Sequence, residues 1–253
     1  MPGDPEFWYQ RYTRQVCWTL AARRYIFEQI RAHPSQRILE AGCGSGAVLE
    51  SLNKDGFSNT IGLDIDYQAL RLAVNHPVTT ADALNLPYSQ NSFDISLCHF
   101  LLLWVTDPLK VLKEMSRVTK PGGWVIALAE PDYGGRIDYP EELEQLGKVQ
   151  SQSLRDQGAD IFTGRKLKSF FADCGLENIR SGIISAQWDR GFDQAEFDLE
   201  WAVLEKDLEG KVSSEELERV YKIDLEASRQ GRRVLFMPIF YAFGQAPARF
   251  QKS

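Results

Sequence analysis

The chain has 253 residues, of which 43% are hydrophobic and 25% charged, and its net charge is −6. This length suits one large domain with a substantial core, and the acidic balance gives no support to a free-standing nucleic-acid binder, which would carry a basic face. No apolar run approaches membrane-spanning length, since "VLFMPIFYAF" (234–243) is short and contains a proline.

In chain order, residues 8–32 carry aromatic and apolar side chains at helical spacing (Trp8, Tyr12, Val16, Leu20, then Tyr25 and Ile26) and predict one helix or two. "HPSQ" (33–36) stops them, "RILEA" (37–41) reads as a short buried strand, and a glycine turn leads into a helix from Ala47 to Lys54. A second strand, "NTIGLDI" (59–65), ends in an acid. A helix over 66–75, a third strand "VTTAD" (78–82) and a fourth strand "FDISLCH" (93–99) follow. Residues 107–119 form an amphipathic helix, "KPGG" (120–123) a turn, and "WVIALAE" (124–130) a fifth strand. Helices at 140–155 and 164–174 precede a strand at 179–188. Helices at 193–208 and 213–229, the latter opening on the capping pair Ser213 and Glu216, precede a last strand at 234–245.

Strict strand–helix alternation up to residue 130 predicts an α/β fold, a doubly wound parallel sheet with helices on both faces. The stretch 192–230 reads as a helical insertion before the last strand, because it has no linker of its own. Cys17, Cys43, Cys98 and Cys174 are scattered and form no CxxC pair, so no metal site is expected and a reducing cytoplasm is. The opening "MPGDPEFWYQRYTRQ" has no apolar core of signal-peptide length. The adjacent arginine pairs, Arg23-Arg24 and Arg232-Arg233, read as solvated surface.

The stretch "ILEAGCGSGAVLE" (38–50) carries the chemistry. Gly42, Gly44 and Gly46 between a strand and a helix N-terminus let backbone approach a nucleotide-like ligand. With Ala47 they also satisfy the dinucleotide fingerprint, and Asp64 at the end of the second strand suits a ribose in either case. Three features separate a dinucleotide from a sulfonium-bearing nucleoside, which uses the same kind of turn. Glu40 suits a ligand carrying an ammonium and a sulfonium and would repel a pyrophosphate. Asp82-Ala83 puts another acid near an adenine amino group, and 93–123 has its own order of strand, apolar loop, "DP", helix and "KPGG".

On "ILEAGCGSG", "IGLDID", "ADALNLPYSQNSFDISLCHFLLLWVTDP" and "RVTKPGGWVIALAEPD", which span 37–132, the chain resembles the class I S-adenosylmethionine-dependent methyltransferases. Within them it is similar to the subgroup of ubiquinone/menaquinone-biosynthesis and small-molecule enzymes. The resemblance implies a Rossmann-like, seven-stranded, mostly parallel sheet with an antiparallel last strand, plus the N-terminal helix and the insertion. It implies S-adenosylmethionine as cofactor and S-adenosylhomocysteine as product. Glu40 and the turn of Gly42, Cys43, Gly44 and Gly46 would face the methionine part. Asp64 would bind the ribose, Ile65 would pack on adenine, and Asp82 and Ala83 would hydrogen-bond its edge. Cys98 and His99 would line the reactive centre, and Tyr9, Tyr12 and Arg14 on the closing N-terminal helix would touch the cofactor.

The whole chain, 1–253, is expected to form one methyltransferase domain. Residues 1–35 would be a helical lid, 36–132 the cofactor-binding core, 133–191 a substrate-side segment with the sixth strand, 192–230 the insertion and 231–253 the last strand. Methyl transfer from a sulfonium is a direct displacement, so alignment supplies most of the catalysis. A general base is needed only when the acceptor loses a proton, and His99 and Asp132 are the candidates. "EPDY" (130–133) follows the fifth strand, not the fourth where amino-group methyltransferases carry their signature. Aromatics outside the basic fold, among them Trp8, Tyr12, Trp18, Tyr133, Trp188, Phe197 and Trp201, point to an enclosed apolar pocket and a small, partly apolar or aromatic acceptor. A tRNA or protein methyltransferase and a non-catalytic S-adenosylmethionine-binding protein remain as alternatives. An NAD-dependent oxidoreductase is opposed by Glu40 and "KPGG".

Overall fold

The computed structural model describes residues 5–184 and 191–248. Helix α1 (Pro5–Gln29) leads into β1 (Ile38–Ala41), α2 (Ala47–Lys54), β2 (Thr60–Asp64), the short α3 (Tyr67–Leu70), β3 (Val78–Thr80), β4 (Phe93–Cys98), α4 (Pro108–Val118) and β5 (Thr119–Pro131). The remainder is β6 (Ile137–Tyr139), α5 (Glu144–Asp156), α6 (Thr163–Asp173), β7 (Glu177–Ile184), α7 (Gln194–Leu208), α8 (Ser214–Arg229), β8 (Val234–Phe236) and β9 (Ile239–Gln245).

Seven strands form one sheet in the order β3-β2-β1-β4-β5-β9-β7. Pairing is parallel from β3 to β5, and β9 runs antiparallel between β5 and β7. The strand order reverses between β1 and β4, and a ligand crevice opens at the carboxyl ends of strands at such a switch point. β1 is flanked on both sides and wholly buried, as an apolar parallel strand should be. Glu40 is its exception.

Side-chain alternation divides the core. Leu39, Ala41 and Cys98 face α4 and α6, packing with Val111, Leu112, Met115, Leu167 and Phe171. Ile38, Ile95 and Leu97 face α1 and α2, packing with Ile26, Ile30, Val48 and Leu52. The same alternation assigns Glu40 and His99 to the α1 side. α4 begins where Pro108 fixes the first turn and the Asp107 carboxylate accepts from the Lys110 N–H at 2.9 Å.

Three expectations change. "KPGG" is not a turn between elements: it bulges out inside β5, where Thr119 pairs with Phe93 and Trp124 already with Ile95. The last strand is split, because Pro238 has no N–H to give a ladder, and β8 pairs with β6 in a separate ribbon. The helix expected over 66–75 spans only Tyr67–Leu70. Trp188 and the end of the 179–188 strand lie outside the described residues.

The insertion has its own small core. Trp201, Leu208 and Val220 pack with Leu143 and Leu146, and Phe197 and Tyr221 join them. Arg233 is largely covered, its side chain 13% exposed, and not freely solvated as its pairing with Arg232 implied. It donates to Asp224 of α8 at 2.6 Å and to Asp138 of β6 at 2.8 Å, and Asp138 also takes Arg136 at 2.6 Å. Buried charges in such a network must stay mutually paired. No described helix is long and apolar enough to cross a membrane.

Candidate active site at the carboxyl ends of β1, β2 and β4

Gly42, Gly44 and Gly46 all adopt positive φ, at 73°, 50° and 79°. The turn is pinned to β2 by the Gly42 and Cys43 N–H groups, which donate to the Leu63 carbonyl at 2.8 and 2.9 Å. At Gly46 a Cβ would lie 2.9 Å from that of Ala73. Gly46→Ala therefore combines a strained φ with a clash against a short side chain, and is expected to cost about 1–3 kcal/mol. Chemical denaturation against wild-type checks it.

Glu40 is 1% exposed and its Oε2 has no hydrogen-bond partner. Burial pushes its pKa well above the usual carboxylate range, with Asp64 adding to the shift and Arg23 opposing it. Arg23 is also buried, correcting the expectation of solvated surface. It donates to Ser51 Oγ at 2.8 Å and Asp55 at 2.6 Å, while its Nη1 has no partner. The Ser45 hydroxyl, in the glycine turn, is the third buried side-chain atom among the described residues without a partner. An unpaired buried carboxylate, guanidinium nitrogen and hydroxyl are costly unless a ligand meets them.

Asp64 closes the turn from β2. Its Oδ2 accepts from the Gly44 N–H at 2.7 Å and its Oδ1 from the Asp66 N–H at 2.9 Å. A carboxylate has about four acceptor positions, so capacity for two hydroxyls remains. Beyond it, Ile65 is 71% exposed and Tyr67 61%, an apolar platform at the rim. The Asp82 side chain caps the Leu84 N–H at 2.9 Å, and among the described residues the Ala83 N–H takes no partner.

α1 crosses this crevice. The Tyr12 ring sits over Gly44, where a Cβ would meet it at 3.4 Å. Desolvation, with Asp64 and Asp66 nearby, raises the Tyr12 phenol to about 12. Tyr9 lies one turn earlier and is half-buried. Thr19 meets His99 at 2.9 Å. His99 follows β4, beside the turn, and desolvation with the Arg23 charge lowers its pKa to about 3.

Three expectations need correction. Arg14 faces α7, pairing with Glu196 at 3.7 Å and Asp193 at 3.9 Å, because its side of α1 meets the acidic start of that helix. Asp132 is 2% exposed; its oxygens are held by Arg165 and by the Gly134 N–H at 3.0 Å, so it locks a turn and is not free to act as a base. The Cys98 side chain is wholly inside the α4-side core, away from the crevice. The Cys43 sulfur packs behind the turn against Gly62, which leaves the turn's backbone, the part expected to face the cofactor, on the crevice side.

Two residues the sequence reading missed shape the loop after β4. Glu130 is fully buried and accepts from the Leu101, Leu102 and Leu103 N–H groups at 3.0, 2.8 and 3.2 Å. Leu101 in turn covers Gly42, where a Cβ would lie 2.7 Å from it. Among the described residues, no group of three or more His, Cys, Asp or Glu is placed to hold a metal ion.

Residues 39–127 match the family model described as a methyltransferase domain. The chain is 30% identical to the demethylmenaquinone methyltransferase of Bacillus mycoides, over 67% of this chain and 80% of that one. It is 26% identical to the enzyme of the same name from Renibacterium salmoninarum, over 64% of this chain and 78% of that one. Among solved structures it is similar to a Haemonchus contortus phosphoethanolamine N-methyltransferase in complex with S-adenosyl-L-methionine. The TM-score is 0.54 and the identity 16%; 84% of this chain is covered but only 49%, about half, of the other. With the switch-point site, the glycine turn and these relatives together, the chain belongs to the class I S-adenosylmethionine-dependent methyltransferases.

Proposed function

We propose that the protein transfers a methyl group from S-adenosylmethionine to a small, partly apolar or aromatic molecule by direct displacement, with all of 1–253 acting as one unit. The observation that carries this reading is Glu40, a buried carboxylate with an unpaired oxygen beside a glycine turn. It calls for a cationic ligand, and the ammonium of the methionine part is one. The unpaired Arg23 Nη1 and Ser45 Oγ complement a carboxylate, and Gly42, Gly44 and Gly46 leave room for backbone to approach. Asp64 holds the ribose hydroxyls, Ile65 covers one face of the adenine, and Asp82 with the Ala83 N–H reads its edge.

When bound, the cofactor supplies an activated methyl on a good leaving group. The chain's own part is positioning. Tyr12 and Thr19 on α1 close the crevice, and Leu101, fixed through Glu130, walls the side toward β4. Neither His99, with its lowered pKa, nor the engaged Asp132 is a strong base. Alignment and water exclusion are therefore what these residues contribute. Support for a small acceptor comes from the covering helix and from relatives named for demethylmenaquinone.

Titration calorimetry with S-adenosylmethionine, S-adenosylhomocysteine and NAD tests the site. Micromolar binding of the first two is expected, weakened at least about tenfold by Asp64→Ala, which removes charge-assisted hydrogen bonds. Binding of NAD alone would overturn the assignment. A following screen in which tRNA or protein is methylated and no small aromatic or lipid-like molecule is would overturn the acceptor class.

A further inference from the structure

We infer that Thr19 on α1 fixes His99 in its Nε2-protonated form, so that closure of the helix presents the bare Nδ1 as a hydrogen-bond acceptor to the methyl acceptor. The last clause rests on the proposed function; the tautomer does not. Thr19 is 1% exposed, and its hydroxyl oxygen stands 3.3 Å from the carbonyl oxygens of both Gln15 and Val16, and 2.9 Å from His99 Nε2. A hydroxyl has one proton. Were it given to His99, the oxygen would face two carbonyl oxygens lone pair to lone pair. Given to the helix carbonyls, it leaves a lone pair for which only an Nε2–H is a partner. Every group is then satisfied, as burial requires.

The ring is neutral, because desolvation and the Arg23 charge disfavour the imidazolium. A neutral ring protonated on Nε2 is unprotonated on Nδ1. Among the described residues Nδ1 has no partner, and it is not one of the fully enclosed unpaired atoms, so it keeps some contact with solvent. His99 directly follows Cys98, which pairs with Ala41 just before the glycine turn. Its open nitrogen therefore lies at the switch point, where it can align an acceptor N–H or O–H. Thr19 acts through His99 and is a positioning residue.

The chain has three histidines, which makes the test direct. Long-range proton–nitrogen spectra of histidine-labelled protein resolve the ring nitrogens of His33, His76 and His99, the last assigned by its loss in His99→Gln. In wild-type, Nε2 of His99 is expected in the protonated range and Nδ1 in the unprotonated range. Thr19→Val is expected to shift the proton to Nδ1 or to a comparable mixture, and Thr19→Ser to restore the wild-type pattern. An Nδ1–H or mixed ring in wild-type overturns the inference, as does an unchanged ring in Thr19→Val. If Thr19→Val fails to fold, the wild-type and Thr19→Ser spectra still decide. Adding S-adenosylhomocysteine to the same wild-type sample separates the two readings: no binding overturns the methyl-transfer site and leaves the tautomer result standing.

Discussion

Glu40→Gln is expected to weaken S-adenosylmethionine and S-adenosylhomocysteine binding by about 2–3 kcal/mol, roughly 30- to 150-fold, without destabilising the free protein. The two effects have one cause. Burial raises the Glu40 pKa well above 4.5, so the free protein holds the side chain largely neutral, and a glutamine has nearly the same shape. The raised pKa also sets the sign of the pH dependence. The unfolded chain loses this proton near 4.5 while the folded chain keeps it, so wild-type stability contributed by Glu40 is present below that pH and falls as pH rises above it. Glu40→Gln removes this slope, and its stability relative to wild-type grows with pH. A ligand ammonium favours the carboxylate instead. Wild-type binding is thus expected to release a proton and to tighten with rising pH. Calorimetry in two buffers of different ionisation enthalpy measures the release, which the variant should lack. Equal affinity of variant and wild-type would remove Glu40 from the site.

What could be read in the sequence and what could not divide along one physical line. The bounds of α2, the capping of α8 by Ser213 and the three glycines follow from local backbone requirements, and all are found where the residues place them. The positive φ values need glycine whatever surrounds them. Glu130 and Arg23 answer to no local rule. Glu130 holds N–H groups 27 to 29 positions away, and Arg23 reaches Ser51 and Asp55 across 28 and 32. Such pairings exist only once the sheet has stacked its helices. One trace was present in α1. Continued at helical spacing, the stripe from Tyr12 and Val16 reaches Thr19, Arg23, Ile26 and Ile30, so two polar residues occupy buried positions. The split of the last strand had a plainer sign in Pro238, which cannot donate to a ladder. The ion pairs of Arg14 had none, because they depend on how the insertion docks.

The other large effect is structural. Glu130→Ala is expected to cost about 3–5 kcal/mol and to lower the melting temperature by roughly 6–10 °C. The substitution leaves three N–H groups of the loop after β4 without their acceptor and opens a gap at a fully buried position. The loop carries Leu101 against Gly42, so cofactor affinity should fall together with stability. Glu130→Gln separates hydrogen bonding from charge. Its carbonyl oxygen can still accept from Leu101 and Leu102, while its amide group faces the Leu103 N–H, and the cost should drop to about 1–2 kcal/mol. Desolvation raises the Glu130 pKa to about 8 against the opposing pull of the three N–H groups. The folded protein therefore keeps a proton that the unfolded chain has lost, and wild-type stability declines from pH 4.5 to about 8 on this account. In Glu130→Gln that part of the decline should vanish, so the variant approaches wild-type as pH rises. Denaturant titrations of both proteins at pH 5 and pH 8 decide the point. A stability difference that stays constant between the two would mean that Glu130 is already ionised in the folded protein, held as a carboxylate by its three backbone donors.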